Sequence, residues 1–226
     1  MKKNLLESLF FIVLVGLIVK NMPYMKKYDI KLKFSIYRSI MCTFFVISSI
    51  LFLYSSTNIL ENSFTFISEL EPLFLKFYFY IIVDIIFILS RTKKRYDLLI
   101  HHIVVLIVLT LGQQKKIVGT ILPILLINET ISILSGFDRV ALNNKRINES
   151  ILFKKIRKII IIFIRLPIWL LFIKLMLENK NIHKVKILGQ SNFFRILYIT
   201  ITLSIIGLDI YWFRKSSKFI KENLSK

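Results

Sequence analysis

The sequence predicts an all-α fold, a multi-pass transmembrane helical bundle of about seven spans. Three observations carry this. Of 226 residues, 55% are hydrophobic, and the mean hydropathy is +0.66. The apolar residues fall into seven runs. The basic residues gather in alternate loops between those runs, which gives the 33 Lys+Arg and the net charge of +20 a place to go. A soluble core of this size cannot hide so much apolar surface, and a disordered chain would not contain it. The single cysteine, Cys42, lies inside an apolar run and excludes an intrachain disulfide.

The apolar runs cover 5–19, 38–57, 73–90, 98–111, 117–136, 159–177 and 195–213. A crossing helix needs roughly 20 residues, with ~17 near the lower limit, so the first and fourth runs are short. The first follows Met1-Lys2-Lys3 as a signal-peptide core would. However, Lys20-Asn21-Met22-Pro23 comes next instead of a small-residue cleavage site, so the run reads as an anchor.

Loop charge orients the bundle. One side collects 22 basic residues: the stretch from Lys20 to Arg38, Arg91 to Arg95, Arg139 to Lys158, and the tail from Arg214. The other side collects 9. The positive-inside rule puts the rich side in the cytoplasm, with the N-terminus outside or lumenal and the C-terminus cytoplasmic. Charge spread over alternate loops, without an aromatic-interleaved basic patch, argues against a nucleic-acid partner.

Ionisable residues within the spans are the candidate functional groups, because a charge at the centre of a crossing helix costs ~2.5–3.5 kcal/mol. They are Asp84, His101, His102, Glu129, Arg165, Lys174 and Asp209. All but Lys174 fall roughly 5–10 Å below the basic-side boundary at the helical rise. Such a layer fits a cavity open to the cytoplasm. It also fits separate interfacial residues facing headgroups, a reading to which Asp97 and Asp209 are most open. Lys174, near the other end of its helix, is expected to snorkel. Arg165 suits a carboxylate or phosphate, or an internal pair with Glu129 or Asp84. Glu129 and Ser132 are three apart and share a helix face.

The most specific string is Tyr96-Asp97-Leu98-Leu99-Ile100-His101-His102. Asp97 and His101 are four apart on a helix, so the carboxylate could orient the imidazole. His102 points about 100° away. The remaining histidine, His183, falls in a loop on the opposite side, and no HxxxH or HxxHH pattern occurs. A metal centre is therefore not expected.

Asp-x-x-x-His-His opening a span resembles the TLC domain, the fold of ceramide synthases, translocation-associated membrane proteins and smaller TLC-domain proteins. Arg38-Ser39-Ile40 resembles the opening of that domain, with Cys42 about where many members have His. Tyr78-Phe79-Tyr80 through Asp84, Asn128-Glu129-Thr130-Ile131-Ser132, and Leu208-Asp209-Ile210-Tyr211-Trp212-Phe213 resemble its later segments. Departures from ceramide synthases are Val105 in place of Thr after the pair, and Asn128-Glu129-x-x-Ser132 in place of His-Asp-x-x-Asp. The chain is thus more similar to the small members. The resemblance divides it into an N-terminal anchor and basic loop (1–37), a TLC-like domain with six core spans (38–218) and a basic tail (219–226).

The resemblance implies acyl transfer from acyl-CoA to the amine of a sphingoid base or related lipid, in the endoplasmic reticulum. His101 and His102 would be catalytic, supported by Asp84 and Glu129. Arg165, Asp97, Ser132 and Asp209 would serve substrate binding, and Arg38, Arg91, Lys93, Lys94 and Arg95 would draw in coenzyme phosphates. Acyl-CoA would be a co-substrate, with no tightly bound cofactor. Membrane lipids, and a second copy in a homo-oligomer, are the expected partners. The alternative is a non-catalytic lipid-binding regulator of membrane composition or, third, a translocon-associated protein.

Overall fold

In a computed structural model, residues 2–25, 27–90, 95–114, 119–178 and 192–224 are described. Arg91, Lys93, Lys94 and His183 lie outside them. The described residues contain helices and no strand. Seven helical segments are long and apolar enough to cross a membrane.

The first span is α1 (Lys2–Asn21). The second, α2 (Ile30–Ser55), is capped by Asp29, whose carboxylate accepts from the Leu32 N–H at 2.7 Å. It starts eight residues before the apolar run, so Lys31, Lys33 and Arg38 are helical rather than in a loop. Hydropathy marks the lipid-facing depth of a helix, whereas capping sets where the helix begins. The third and fourth spans are α3 (Glu71–Leu89) and α4 (Tyr96–Gln114). The fourth run is therefore a full crossing helix, its length restored by the polar residues at both ends.

The fifth and sixth spans are irregular. The fifth joins α5 (Ile121–Leu126) through a 3-10 turn (Ile127–Glu129) to α6 (Thr130–Asn143). The sixth joins α7 (Ile147–Ile160) through a wide π turn (Ile161–Arg165) to α8 (Leu166–Leu177). Pro167 follows that turn. It has no N–H to return to the preceding turn, so the helix is wound differently just before it. The sixth span thus begins twelve residues before its apolar run, and Lys154, Lys155, Arg157 and Lys158 are helical. Lys154 is buried because its ammonium meets Asp138 on α6 and the hydroxyl of Ser150. The seventh span, α9 (Asn192–Leu224), continues through the basic segment expected as a tail.

Six of the spans close a ring in the order α2, α3, α4, α9, α7/α8 and α5/α6, and the last returns to α2. The helix α1 stands outside against α2 and α3. The largest core cluster joins Met41 and Phe45 of α2 to Phe74, Phe77, Tyr80 and Ile81 of α3. Large apolar side chains such as Phe10, Leu51, Ile86 and Phe163 are exposed on the outer surface, where a bilayer would cover them.

The seam between α2 and α6 is built on small residues, as helix pairs in lipid require. Ser39 donates to the Ile133 carbonyl at 3.2 Å. A Cβ on Gly136 would lie 1.7 Å from Ser39 Oγ and 3.0 Å from the Ser35 carbonyl oxygen. Gly136→Val is therefore expected to destabilise the protein by about 1–3 kcal/mol through overpacking. Thermal unfolding in detergent should show the midpoint falling. Gly207→Ala, which meets nothing within 4 Å, should leave it unchanged.

Candidate functional site

The ring gathers the span-embedded ionisable residues into its interior. Asp84, His101, His102, Glu129, Arg165 and Asp209 are all buried. Asp84 is fully enclosed and is held from two sides. Arg38 Nη2 donates to its Oδ1 at 2.5 Å, and His102 Nδ1 lies 2.8 Å from its Oδ2. Arg38 is therefore the counter-charge of Asp84 and not a free anchor for phosphate.

His101 has a different neighbour. Its Nε2 lies 4.0 Å from Glu129 Oε1. The other oxygen of Glu129 accepts from Ser132 Oγ at 2.8 Å and from Cys42 Sγ at 3.6 Å, and Cys42 contacts the Tyr80 hydroxyl at 3.4 Å. The two imidazoles are 5.3 Å apart between centroids, and Trp212 meets His101 edge-on at 5.7 Å.

Two expected pairings are replaced. Asp97 does not serve His101. It accepts two bonds from Arg95, at 3.0 and 2.6 Å, and one from Trp212 Nε1 at 3.0 Å. A carboxylate so held fixes the indole that lies against His101, so its effect on the imidazole passes through Trp212. Arg165 pairs with neither Glu129 nor Asp84. Its Nε sits 2.9 Å from Asp209 Oδ1, and Nη1 donates to the Asn128 carbonyl at 2.5 Å. Asp209 also accepts from Trp169 Nε1 at 3.0 Å. Asp209 is thus an interior counter-ion instead of an interfacial residue. Lys174 is exposed and near Glu178.

The irregular turns explain how these groups meet. The 3-10 turn ends at Glu129, and the π turn ends at Arg165. Together they bring the Asn128 carbonyl to the guanidinium. Tight 3-10 turns within a helix often mark hinges or strain, and wide π turns are frequent at functional positions.

Two cavities flank the layer. One is apolar, with about 620 Å³ of unfilled space that includes its open mouth. Its walls come from α3, α4, α5, α8 and α9, among them Phe77, Val105, Leu122 and Phe172, and its polar end is made by His101, Asn128, Glu129 and Arg165. The second, at the end of the ring carrying the basic loops, is lined by Arg38, Arg95, Arg139 and Arg157, with Asp138 the acid in its wall. Ser132 and Trp212 line this second cavity. They touch Glu129 and His101 of the first. The His–carboxylate layer is therefore the partition between an apolar chamber and an arginine-rich vestibule. His102 and Asp84 line neither cavity and stand behind His101.

The sequence gives no individual role to Asn128, Trp169, Trp212, Arg139 or Arg157: their contacts come from other helices, and spacing along one helix carries no signal for them. Among the described residues, no group of three or more His, Cys, Asp or Glu is gathered as metal ligands would be.

The TLC domain family model matches residues 31–218, nearly the whole ring and from the first turn of α2. The chain belongs to the TLC-domain family, a lipid-related family of membrane proteins, and is an integral membrane protein. No curated protein and no solved structure matches it.

The Arg38–Asp84–His102 cluster has a direct consequence for stability. Asp84→Ala leaves Arg38 buried without its counter-charge. It should cost about 3–5 kcal/mol, read as a lower unfolding midpoint in detergent. Replacing both ions, Arg38→Met with Asp84→Leu, should recover most of the loss, because an apolar pair has no desolvation cost.

Proposed function

We propose that this protein is a membrane-embedded N-acyltransferase that moves a fatty acyl group from acyl-CoA to the amine of a sphingoid base or similar lipid. One observation carries the reading: His101 sits where an apolar chamber meets an arginine-rich vestibule. A fatty acyl thioester is apolar at one end and a polyphosphate at the other, and a site for it needs those two environments with a base between them.

The acyl chain fills the apolar chamber. The coenzyme phosphates lie in the vestibule, which faces the cytoplasm by the positive-inside rule. Arg139, whose Nη1 donates to the Ser35 hydroxyl at 3.3 Å rather than to a carboxylate, is the arginine most available to them. Arg38, Arg95 and Arg157 contribute field while tied to Asp84, Asp97 and Asp138.

His101 takes a proton from the acceptor amine as its nitrogen attacks the thioester carbonyl carbon. The C–N bond forms, the C–S bond breaks, and the imidazolium returns the proton to the leaving thiolate. Glu129 stabilises the imidazolium while Ser132 holds the carboxylate in place. His102, set 2.8 Å from Asp84 beside Arg38, positions His101 from behind. The endoplasmic reticulum and a lumenal N-terminus belong to the same reading.

His101→Ala should lower acyl transfer at least ~10²-fold, the usual scale for a general base, while leaving the protein folded. Arg139→Ala should chiefly raise KM for acyl-CoA. The assay is labelled sphingoid base fed to cells lacking their own ceramide synthases, with variants compared at equal protein level.

A second reading, a non-catalytic lipid-binding protein, is favoured by the 4.0 Å separation of His101 and Glu129, which exceeds a hydrogen bond. It predicts no acylated product from folded wild type and retained lipid binding in His101→Ala.

A further inference from the structure

The polar end of the apolar chamber contains charges and neutral groups in very different states. The charges are occupied. Arg165 is spent on Asp209 and on the Asn128 carbonyl. Glu129 is bonded by Ser132 and lies near His101. Asn128 is the opposite case. Its residue surface is 2% exposed, it forms part of the chamber wall, and neither Nδ2 nor Oδ1 has a hydrogen-bond partner. Its main-chain carbonyl is used by Arg165, so only the carboxamide is idle. A buried carboxamide left unpaired is destabilising, and native proteins satisfy such groups or use them.

We propose that Asn128 is the specificity-determining residue of the chamber, its carboxamide reading a neutral lipid headgroup that offers both a hydrogen-bond acceptor and a donor, as a lipid amide does. This rests on the reading that the chamber seats a lipid chain. The chemistry follows from what is left unpaired. Nδ2–H can donate to a carbonyl oxygen, and Oδ1 can accept from an adjacent N–H or O–H. A fatty carboxylate is not favoured, because the cation that would hold it is already neutralised by Asp209. An ester of equal length, like the acyl thioester before the acceptor amine brings its N–H, supplies the acceptor and lacks the donor, so it leaves Oδ1 buried and unpaired. A site built to bond a polar group discriminates against the analogue lacking it more strongly than an apolar pocket discriminates by size.

The test uses the full chain purified into nanodiscs and two neutral probes of the same chain length, a fatty primary amide and the fatty acid methyl ester. Trp169 lines the chamber, so intrinsic fluorescence reads occupancy. Wild type should bind the amide at least about tenfold more tightly than the ester, the factor one unmatched buried hydrogen bond supplies. Asn128→Leu should bind both probes with the affinity wild type shows for the ester. Its unfolding midpoint without ligand should rise, because two idle polar atoms leave an apolar wall. Equal binding of amide and ester by wild type overturns the proposal while leaving the lipid chamber in place, and needs no variant. An amide preference that persists in Asn128→Leu overturns the assignment to Asn128. A fall in the midpoint of Asn128→Leu overturns it in favour of a structural role for the carboxamide. Binding of neither probe removes the lipid reading of the chamber and the proposal with it.

Discussion

Charge neutralisation inside an apolar ring is the constraint on which the structure depends. Arg38 and His102 around Asp84, and Arg165 against Asp209, link helices that are far apart in sequence. Each ion is expensive in a membrane interior, and each becomes tolerable only when its counter-ion arrives from another helix. The first cluster ties α2, α3 and α4 together. The second ties the sixth span to α9, and the Arg165 bond to the Asn128 carbonyl draws in the fifth. Between them they draw on all six members of the ring, and Glu129, beside His101 and Cys42, joins one set to the other. The layer is thus both the fastening of the fold and the floor of the apolar chamber.

This double use explains the division of labour between the histidines. His102 is consumed by the fastening, since Asp84 is already held by Arg38 and the three groups form a closed set. His101 lies on the chamber side, with a looser carboxylate and an edge-on indole. In the proposed reaction His101 gains and loses a proton, which calls for a partner that stabilises its charged form without locking the ring, and Glu129 at 4.0 Å is so placed. The irregular turns at 127–129 and 161–165 end at Glu129 and Arg165, two of the side chains that make the polar end of the chamber.

Much of the fold was legible in the sequence, because lipid imposes a simple code of apolar length and loop charge. Seven spans, and the ionisable residues Asp84, Glu129, His101 and His102 within them that the structure finds buried, can be read that way. The partners cannot. Spacing along one helix reveals only neighbours on that helix, which is why it pairs Asp97 with His101. Glu129 and Trp212 beside His101, and Trp212 on Asp97, come from other helices and depend on the order of the ring, while Arg95 reaches Asp97 from two residues away. Arg38 differs for a related reason: a basic residue at the start of an apolar run has the same hydropathy signature whether it faces water or, as here, a buried carboxylate. Asp209, four residues from the end of its run, looked interfacial because the continuation of α9 to Leu224 was invisible to hydropathy. The idle carboxamide of Asn128 has no sequence signature, since being unpaired is a property of packing.

In the proposed function an acyl chain enters the ring and ends among the side chains that line the chamber. The most direct measurement is photo-crosslinking of the purified protein with a fatty acyl-CoA carrying a diazirine at the chain terminus, followed by peptide mapping. Labelling confined to chamber-lining residues such as Val108, Leu122, Leu125 and Phe172, and competed by unlabelled acyl-CoA, is the predicted result. Labelling confined to lipid-facing residues such as Phe163, Ile86 and Leu51, insensitive to competitor, would contradict the account.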